Sequence, residues 1–105
     1  MSTRATIKIT DGRETMRLYH HCDGYPEGVG SELKDFLSKK DGEWIVTALA
    51  NELATMDKQY EFTTCQHGDE EYAYLIDCKD KNLKCYKVGL DEFDWKEDKV
   101  VDIPD

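Results

Sequence analysis

The first twenty residues alternate between apolar and polar side chains with the period of two that is typical of β-strands. In residues 3–10, Ala5 and Ile7 share one face with Ile9. An Asp-Gly pair that suits a tight hairpin follows, and residues 15–21 then alternate in the same way. The chain is therefore predicted to open with two antiparallel strands, each of which buries one face.

The middle of the chain has the spacing of amphipathic helices. Residues 30–40 carry apolar side chains three and four positions apart, and Ser31 is a suitable N-cap. Residues 43–56 predict a second helix. The apolar stripe that we expect to cover the sheet consists of Ile45, Ala48, Leu49, Leu53 and Met56.

Alternation returns near the C-terminus. Residues 59–65, 71–78 and 82–90 predict three more strands, and the acidic but partly apolar residues 91–105 predict an added edge strand. The order ββααβββ, with this possible extra strand, indicates an α+β fold: an antiparallel sheet of five or six strands with two helices on one face. Residues 1–105 have the length of a single domain.

The charge of the chain argues against one class of function and favours another. The net charge is −9, whereas a general nucleic-acid binder needs clustered cations to contact phosphates. Residues 1–52 hold 7 basic and 9 acidic side chains, but residues 53–105 hold 7 and 14. All three arginines lie among the first 17 residues. Because arginine suits bidentate capture of phosphate or carboxylate, an anionic ligand is expected near the N-terminal hairpin.

Several partners are not expected. No apolar run approaches the ~20 residues that span a bilayer, and the start lacks the apolar core of a signal peptide, so we expect a cytoplasmic protein without membrane contact. The four cysteines are then expected to be reduced, although Cys78 and Cys85 are near enough in sequence to face one another across a hairpin. Their spacing does not suit a metal, and no cofactor is expected. The small core favours a homo-oligomer.

The connection between the second strand and the first helix carries the most distinctive sequence, HCDGYPEGVGS at residues 21–31. Its glycines and proline predict a shaped loop. The N–H groups at the start of the helix would lie beside Tyr25, His21 and the arginines, which is a combination that suits phosphate. A turn required only for geometry explains the same residues, so both interpretations stay open.

A catalytic interpretation of this loop also stays open. His20 or His21 beside Asp23 has the composition of a general acid–base pair, and Cys22 has that of a nucleophile. A hydrolase generally needs a metal or a complete set of nucleophile, base and orienting group, which one strand end supplies only in part. Whether the protein is an enzyme is uncertain, and binding without catalysis is favoured.

Two segments resemble a family of small proteins encoded by phages, prophages and some bacterial genomes. They are STRATI at residues 2–7 and HCDGYPEGVG at residues 21–30, and the match covers about the first third of the chain. This chain has His20 and Cys22 where relatives often carry arginine and an aromatic residue. The matching positions are Thr3, Arg4, Thr6, His21, Asp23, Gly24, Tyr25 and Pro26, and Gly28 and Gly30 fit the glycine-rich exit.

This resemblance implies an anti-defence role in the host cell cytoplasm. Small phage proteins of this kind include oligomeric, Sequestin-like sponges that sequester the nucleotide signals of bacterial immunity. We therefore predict a non-catalytic protein that binds an anionic nucleotide-derived signal of the cyclic ADP-ribose type. The alternative is an acidic inhibitor or nucleic-acid mimic that binds a host factor, and the acidic run from Asp91 to Asp105 supports it. A small phosphodiesterase-type hydrolase is the third possibility.

Each candidate ligand-binding residue has an expected role. Arg4 and Arg17 would pair with phosphate, Tyr19 or Tyr25 would stack on the base, and Asp23 would accept hydrogen bonds from ribose hydroxyls. The whole predicted set is Arg4, Thr6, Arg17, Tyr19, His21, Asp23, Gly24, Tyr25, Gly28, Gly30 and Ser31.

Overall fold

The computed structural model describes residues 3–40, 42–56, 58–63, 71–87 and 100–101. The elements, in chain order, are β1 (Ala5–Thr10), β2 (Thr15–His20), a π-helix (Pro26–Gly30), α1 (Ser31–Ser38), α2 (Val46–Met56), β3 (Tyr60–Thr63), β4 (Tyr72–Asp77), β5 (Asn82–Lys87) and β6 (Val100–Val101). This succession of strands, helices and strands confirms the α+β class. Most of the acidic tail, residues 91–99 and 102–105, lies outside the described residues.

The described strands form one mixed sheet in the order β3-β2-β1-β4-β5-β6. β1 and β4 run parallel, whereas the other neighbouring strands are antiparallel. The expectation of a wholly antiparallel sheet is therefore wrong for the β1–β4 pair. The difference is topological: β4 adds to the free edge of β1, in the same direction, and not to the free edge of β3, its predecessor in the chain.

The hydrophobic core lies between one face of the sheet and the helices, as the alternation predicts. Ala5, Ile7 and Ile9 of β1 are fully buried there. Leu33 of α1 and Leu53 of α2 are also fully buried and belong to the same cluster. Each fully buried aliphatic side chain of this size contributes about 1.5–3 kcal/mol, so this face is the main source of stability. Among the described residues, no helix is long and apolar enough to cross a membrane.

The apolar stripe of α2 differs from the expected one. Ile45 and Met56 are 53% and 49% exposed. The helix begins at Val46, three residues after the expected start. Both stripes have helical spacing, and the sequence does not distinguish them because α2 is apolar around much of its circumference. The side chains that α2 buries are Val46, Leu49, Ala50 and Leu53.

The opposite face of the sheet, here called the outer face, carries the polar positions of the strands. Thr6 and Lys8 of β1 lie on it, directly opposite Tyr19 and Arg17 of β2. Directly opposed residues of neighbouring strands project from the same face of a sheet. The outer face therefore carries polar side chains of β1 and β2, while the buried Ala73 of β4 and Tyr86 of β5 share it.

The two cysteines near the β4–β5 hairpin are separated by its register. Cys85 is opposite Tyr74, whereas Cys78 lies beyond the last residue of β4. Cys78 and Cys85, although near in sequence, therefore do not face one another across the hairpin. Both are free thiols, and burial raises the pKa of each to about 11. They are thiols and not thiolates at neutral pH.

A buried hydrogen bond joins the sheet to the loop that follows β2. The Tyr74 hydroxyl donates to the Gly24 carbonyl at 2.6 Å, and burial raises the pKa of this hydroxyl well above its usual value. We predict that Tyr74→Phe lowers the free energy of unfolding by about 1–3 kcal/mol, because the buried carbonyl loses this donor. Urea denaturation measures the change.

The matched control for this variant is Tyr25→Phe. The Tyr25 hydroxyl is on an exposed side chain and donates to Asp23 at 3.3 Å. Its removal should change stability by no more than about 0.5 kcal/mol, as is usual for surface positions. Equal losses of unfolding free energy in the two variants would show that the buried Tyr74–Gly24 hydrogen bond stabilises the protein no more than the exposed Tyr25–Asp23 hydrogen bond does.

Candidate functional site

The loop after β2 is held tightly against the edge of β1. The Gly24 amide donates to the Thr3 carbonyl at 2.8 Å. A Cβ atom at Gly24 would lie 2.8 Å from the Ala5 Cβ and 2.9 Å from the Arg4 carbonyl carbon. No larger side chain fits without moving the backbone. Gly24 therefore allows the loop to dock on the first strand.

The loop then folds back on itself around Asp23, which has a left-handed φ of 54°. The Asp23 carbonyl accepts a hydrogen bond from the Val29 amide at 2.9 Å. A Cβ atom at Gly28 would lie only 2.2 Å from that carbonyl oxygen. The close approach of these two backbone segments therefore explains why position 28 is a glycine.

The backbone amides that the sequence assigns to phosphate binding already form hydrogen bonds within the protein. The Gly28 amide donates to Tyr25 at 2.9 Å, and the Ser31 amide donates to the Gly28 and Pro26 carbonyls. The Gly30 amide contributes a hydrogen bond at the Tyr74 hydroxyl. An anion at this helix start would therefore compete with these internal bonds.

Ser31 is not the N-cap of α1. Gly30 occupies the N-cap position, and no side chain caps the helix there. The Ser31 hydroxyl instead donates to the Pro26 carbonyl at 3.3 Å. The reason is the five-residue π-helix, Pro26–Gly30, which leads directly into α1 and leaves no extended residue in front of Ser31.

The two histidines of the loop have different surroundings. His20 is 3% exposed, its Nδ1 is hydrogen-bonded to the Cys22 carbonyl, and its ring packs edge-on against Tyr60 at 4.5 Å. His21 is exposed, and its Nε2 is hydrogen-bonded to the Glu61 carboxylate. His20 is therefore part of the packing, whereas His21 and Glu61 form a surface pair.

The carboxylate next to His21 is thus Glu61 and not Asp23. Asp23 accepts a hydrogen bond from the Tyr25 hydroxyl, and its charge is the main cause that raises the pKa of that hydroxyl. Glu61 is 40 residues from His21 and is brought near by the β2–β3 pairing. The sequence reasoning missed it, because no local signal shows which strand lies beside β2.

Two cations are directly opposed on the outer face. Lys8 and Arg17 are partners in the β1–β2 register and both are half-buried. Burial, and secondarily the charge of Arg17, lower the pKa of Lys8. Like charges in directly opposed positions repel one another. The register therefore brings two cationic side chains together on one face of a protein of net charge −9.

A groove of about 670 Å³ begins beside Arg17 at the edge of the sheet. β3 ends at Thr63, which is opposite Arg17. The groove follows β2 beyond that point, where the register pairs no β3 residue with Met16. Phe62, which is 47% exposed, forms an aromatic part of its wall. This volume is in the range of small-molecule sites.

Two other candidates on the outer face have little accessible surface. Tyr19 is 4% exposed and its ring packs edge-on against His21 at 4.8 Å, while Thr6 is fully buried. In this conformation Tyr19 has no open face on which a base would stack. The exposed aromatic ring of β3 is Phe62, which is opposite Leu18 and therefore projects from the core face and not from the outer face of Arg17.

The predicted site therefore separates into two groups. Asp23, Gly24, Tyr25, Gly28, Gly30 and Ser31 belong to the docked loop, whereas Thr6, Arg17, Tyr19 and His21 belong to the strands or their ends. Arg4 joins the groups through its backbone, because its carbonyl accepts a hydrogen bond from Glu71 at 2.9 Å and its carbonyl carbon lies against Gly24.

Within the described part of the chain, no group of three or more His, Cys, Asp or Glu residues is arranged to hold a metal ion. Cys65 and His67 lie outside it. Comparisons with protein-family models, with curated proteins and with solved structures found no match. The resemblance of residues 2–7 and 21–30 to small phage proteins therefore stays a prediction.

The close approach at Gly28 generates a test of the loop. We predict that Gly28→Ala lowers the free energy of unfolding by about 3 kcal/mol, because the new methyl group collides with the Asp23 backbone. Gly12→Ala is the control. Gly12 has a φ of 91° with open space around it, so alanine there costs only the left-handed conformation, about 1 kcal/mol. If Gly28→Ala and Gly12→Ala lost similar free energies of unfolding in urea denaturation, the close approach of Gly28 to the Asp23 backbone would be contradicted.

Proposed function

We propose that this protein binds a small anionic ligand of the nucleotide type and sequesters it without catalysis. The observation that carries the proposal is the direct opposition of Lys8 and Arg17 on the outer face, beside an open groove. Arginine presents two parallel donors to a phosphate, and lysine adds a mobile point charge. The phosphates are the part of the ligand that this pair would bind.

The chemistry of Arg17 favours an anion. A phosphate beside its guanidinium group would receive two parallel charge-assisted hydrogen bonds. Among the described residues, Arg17 forms no ion pair. Its guanidinium group is therefore not neutralised by a carboxylate of this part of the structure.

The groove beside Arg17 supports a ligand larger than free phosphate. Its wall combines the half-buried Met16 with the exposed ring of Phe62. A nucleobase or ribose would replace water on this partly apolar surface, and an aromatic ring offers a stacking face. Phe62 and Met16 project from the core face and Arg17 projects from the outer face, so a ligand that stacks on Phe62 instead of Tyr19 would bend around the edge of β2 to reach Arg17.

The resemblance of the N-terminal third to small phage proteins supports an immune signal as the ligand, and cyclic ADP-ribose is the first molecule to test. Sequestration would then act in the host cytoplasm, and a homo-oligomer would increase the number of sites. Binding without reaction is favoured because His20 and Asp23, two of the three candidate acid–base residues, are engaged in loop contacts.

The test uses the purified protein with cyclic ADP-ribose and ADP-ribose in isothermal titration calorimetry. We predict that Arg17→Ala weakens binding at least tenfold, since it removes a charge-assisted contact to phosphate. The same variant should keep its stability within about 0.5 kcal/mol, because it relieves repulsion on Lys8. Lys39→Ala, which removes an equal charge from the exposed position that follows α1, should bind like the unaltered protein.

Mass spectrometry of the ligand released by heat completes this test. Recovery of intact nucleotide supports sequestration, and breakdown products would show that the protein is a hydrolase. Undetectable binding of both nucleotides, or unchanged affinity in Arg17→Ala, would overturn the assignment. Such a result would favour the acidic protein-interaction inhibitor.

A further inference from the structure

A second cleft, of about 570 Å³, lies at the turn end of the sheet and shares no lining residue with the groove beside Arg17. It forms where the β1–β2 turn, the β4–β5 turn and the segment before α2 meet. The lining residues that matter for its chemistry are Asp11, Arg13, Glu43, Trp44, Lys79 and Lys81.

Trp44 gives this cleft an aromatic wall. The side chain is half-buried and packs against the hydrophobic core, so its position is fixed, while its remaining surface lines the cleft. A tryptophan held in this way is a suitable platform for a planar ring, because stacking on it costs little side-chain entropy.

Three cations, Arg13, Lys79 and Lys81, converge on the cleft from two different turns and are all exposed. Asp11 also lines it, but its carboxylate is engaged: one oxygen accepts hydrogen bonds from the Arg13 and Glu14 amides at 2.8 Å and 2.7 Å. These bonds lower the pKa of Asp11 and delocalise its charge into the turn. Glu43 is the remaining opposing charge at the wall.

Lys81 occupies a position that glycine suits better. Its φ is 55°, in the left-handed region that is unfavourable for a lysine. The turn around it is fixed by Asp77, whose carboxylate accepts hydrogen bonds from the Lys79 and Asp80 amides at 3.0 Å and 3.1 Å. The backbone therefore gains nothing from a lysine here, and the exposed side chain of this cleft-lining residue is the feature that distinguishes it from glycine.

We propose that this cleft is a second binding site, for an aromatic ring that carries a phosphate, as in a mononucleotide. The ring stacks on Trp44, and the phosphate contacts Arg13, Lys79 and Lys81. The site is independent of the Lys8–Arg17 pair, and no bond is made or broken in it.

The experiment is a titration with AMP, followed by tryptophan fluorescence in a Trp95→Phe background, in which Trp44 is the only tryptophan. We expect saturable quenching of Trp44. Adenosine and ribose 5-phosphate should each bind at least tenfold more weakly, because each lacks one of the two contacts. If Trp95→Phe lowers the stability, the indole N–H signal of Trp44 in an NMR titration of the unaltered protein replaces fluorescence.

Lys81→Gly separates binding from folding. We expect it to weaken AMP binding about tenfold, as the loss of one charged contact does, while the urea midpoint stays equal or rises. Glu43→Gln should strengthen binding, whereas Lys39→Ala and Arg17→Ala should leave it unchanged. Unchanged AMP affinity in Lys81→Gly, or no saturable change in Trp44 at millimolar AMP, would overturn this proposal whatever the outcome with cyclic ADP-ribose.

Discussion

The docking of Gly24 on the first strand is the contact on which the rest of the structure depends. Its amide bonds to Thr3, its carbonyl accepts the Tyr74 hydroxyl, and its missing side chain leaves room for Ala5. The contact joins the loop to β1 and β4, which are the central parallel pair of the sheet. The start of α1, and with it the packing of the helices, is thereby fixed relative to the strands.

This docking also decides where binding chemistry is possible. A glycine-rich turn before a helix has the composition of a phosphate cradle, but here Gly28 serves a backbone crossing and the nearby amides bond to the protein itself. Because a rigid loop of this kind satisfies its own donors, charged side chains on the strands are better placed to meet an anion. Lys8 and Arg17 lie on such strands.

The sequence predicts those features that depend on local periodicity and fails where the partner is distant. The alternation of Ala5, Ile7 and Ile9 correctly gave a strand with one buried face. It contains no information about whether β4 lies beside β3 or β1, and so the parallel pair was missed. Glu61 was not predicted as the partner of His21 for the same reason: the two residues meet only through the pairing of β2 with β3, which local periodicity does not show.

The positive centres of this acidic protein are short-range features. Net charge of −9 repels an anion at a distance, but at physiological ionic strength the Debye length is about 8 Å, so an approaching ion would experience chiefly the nearest side chains. Opposing Lys8 to Arg17 concentrates charge within that distance. Local geometry, more than overall charge, therefore determines the potential that an ion would meet at this surface.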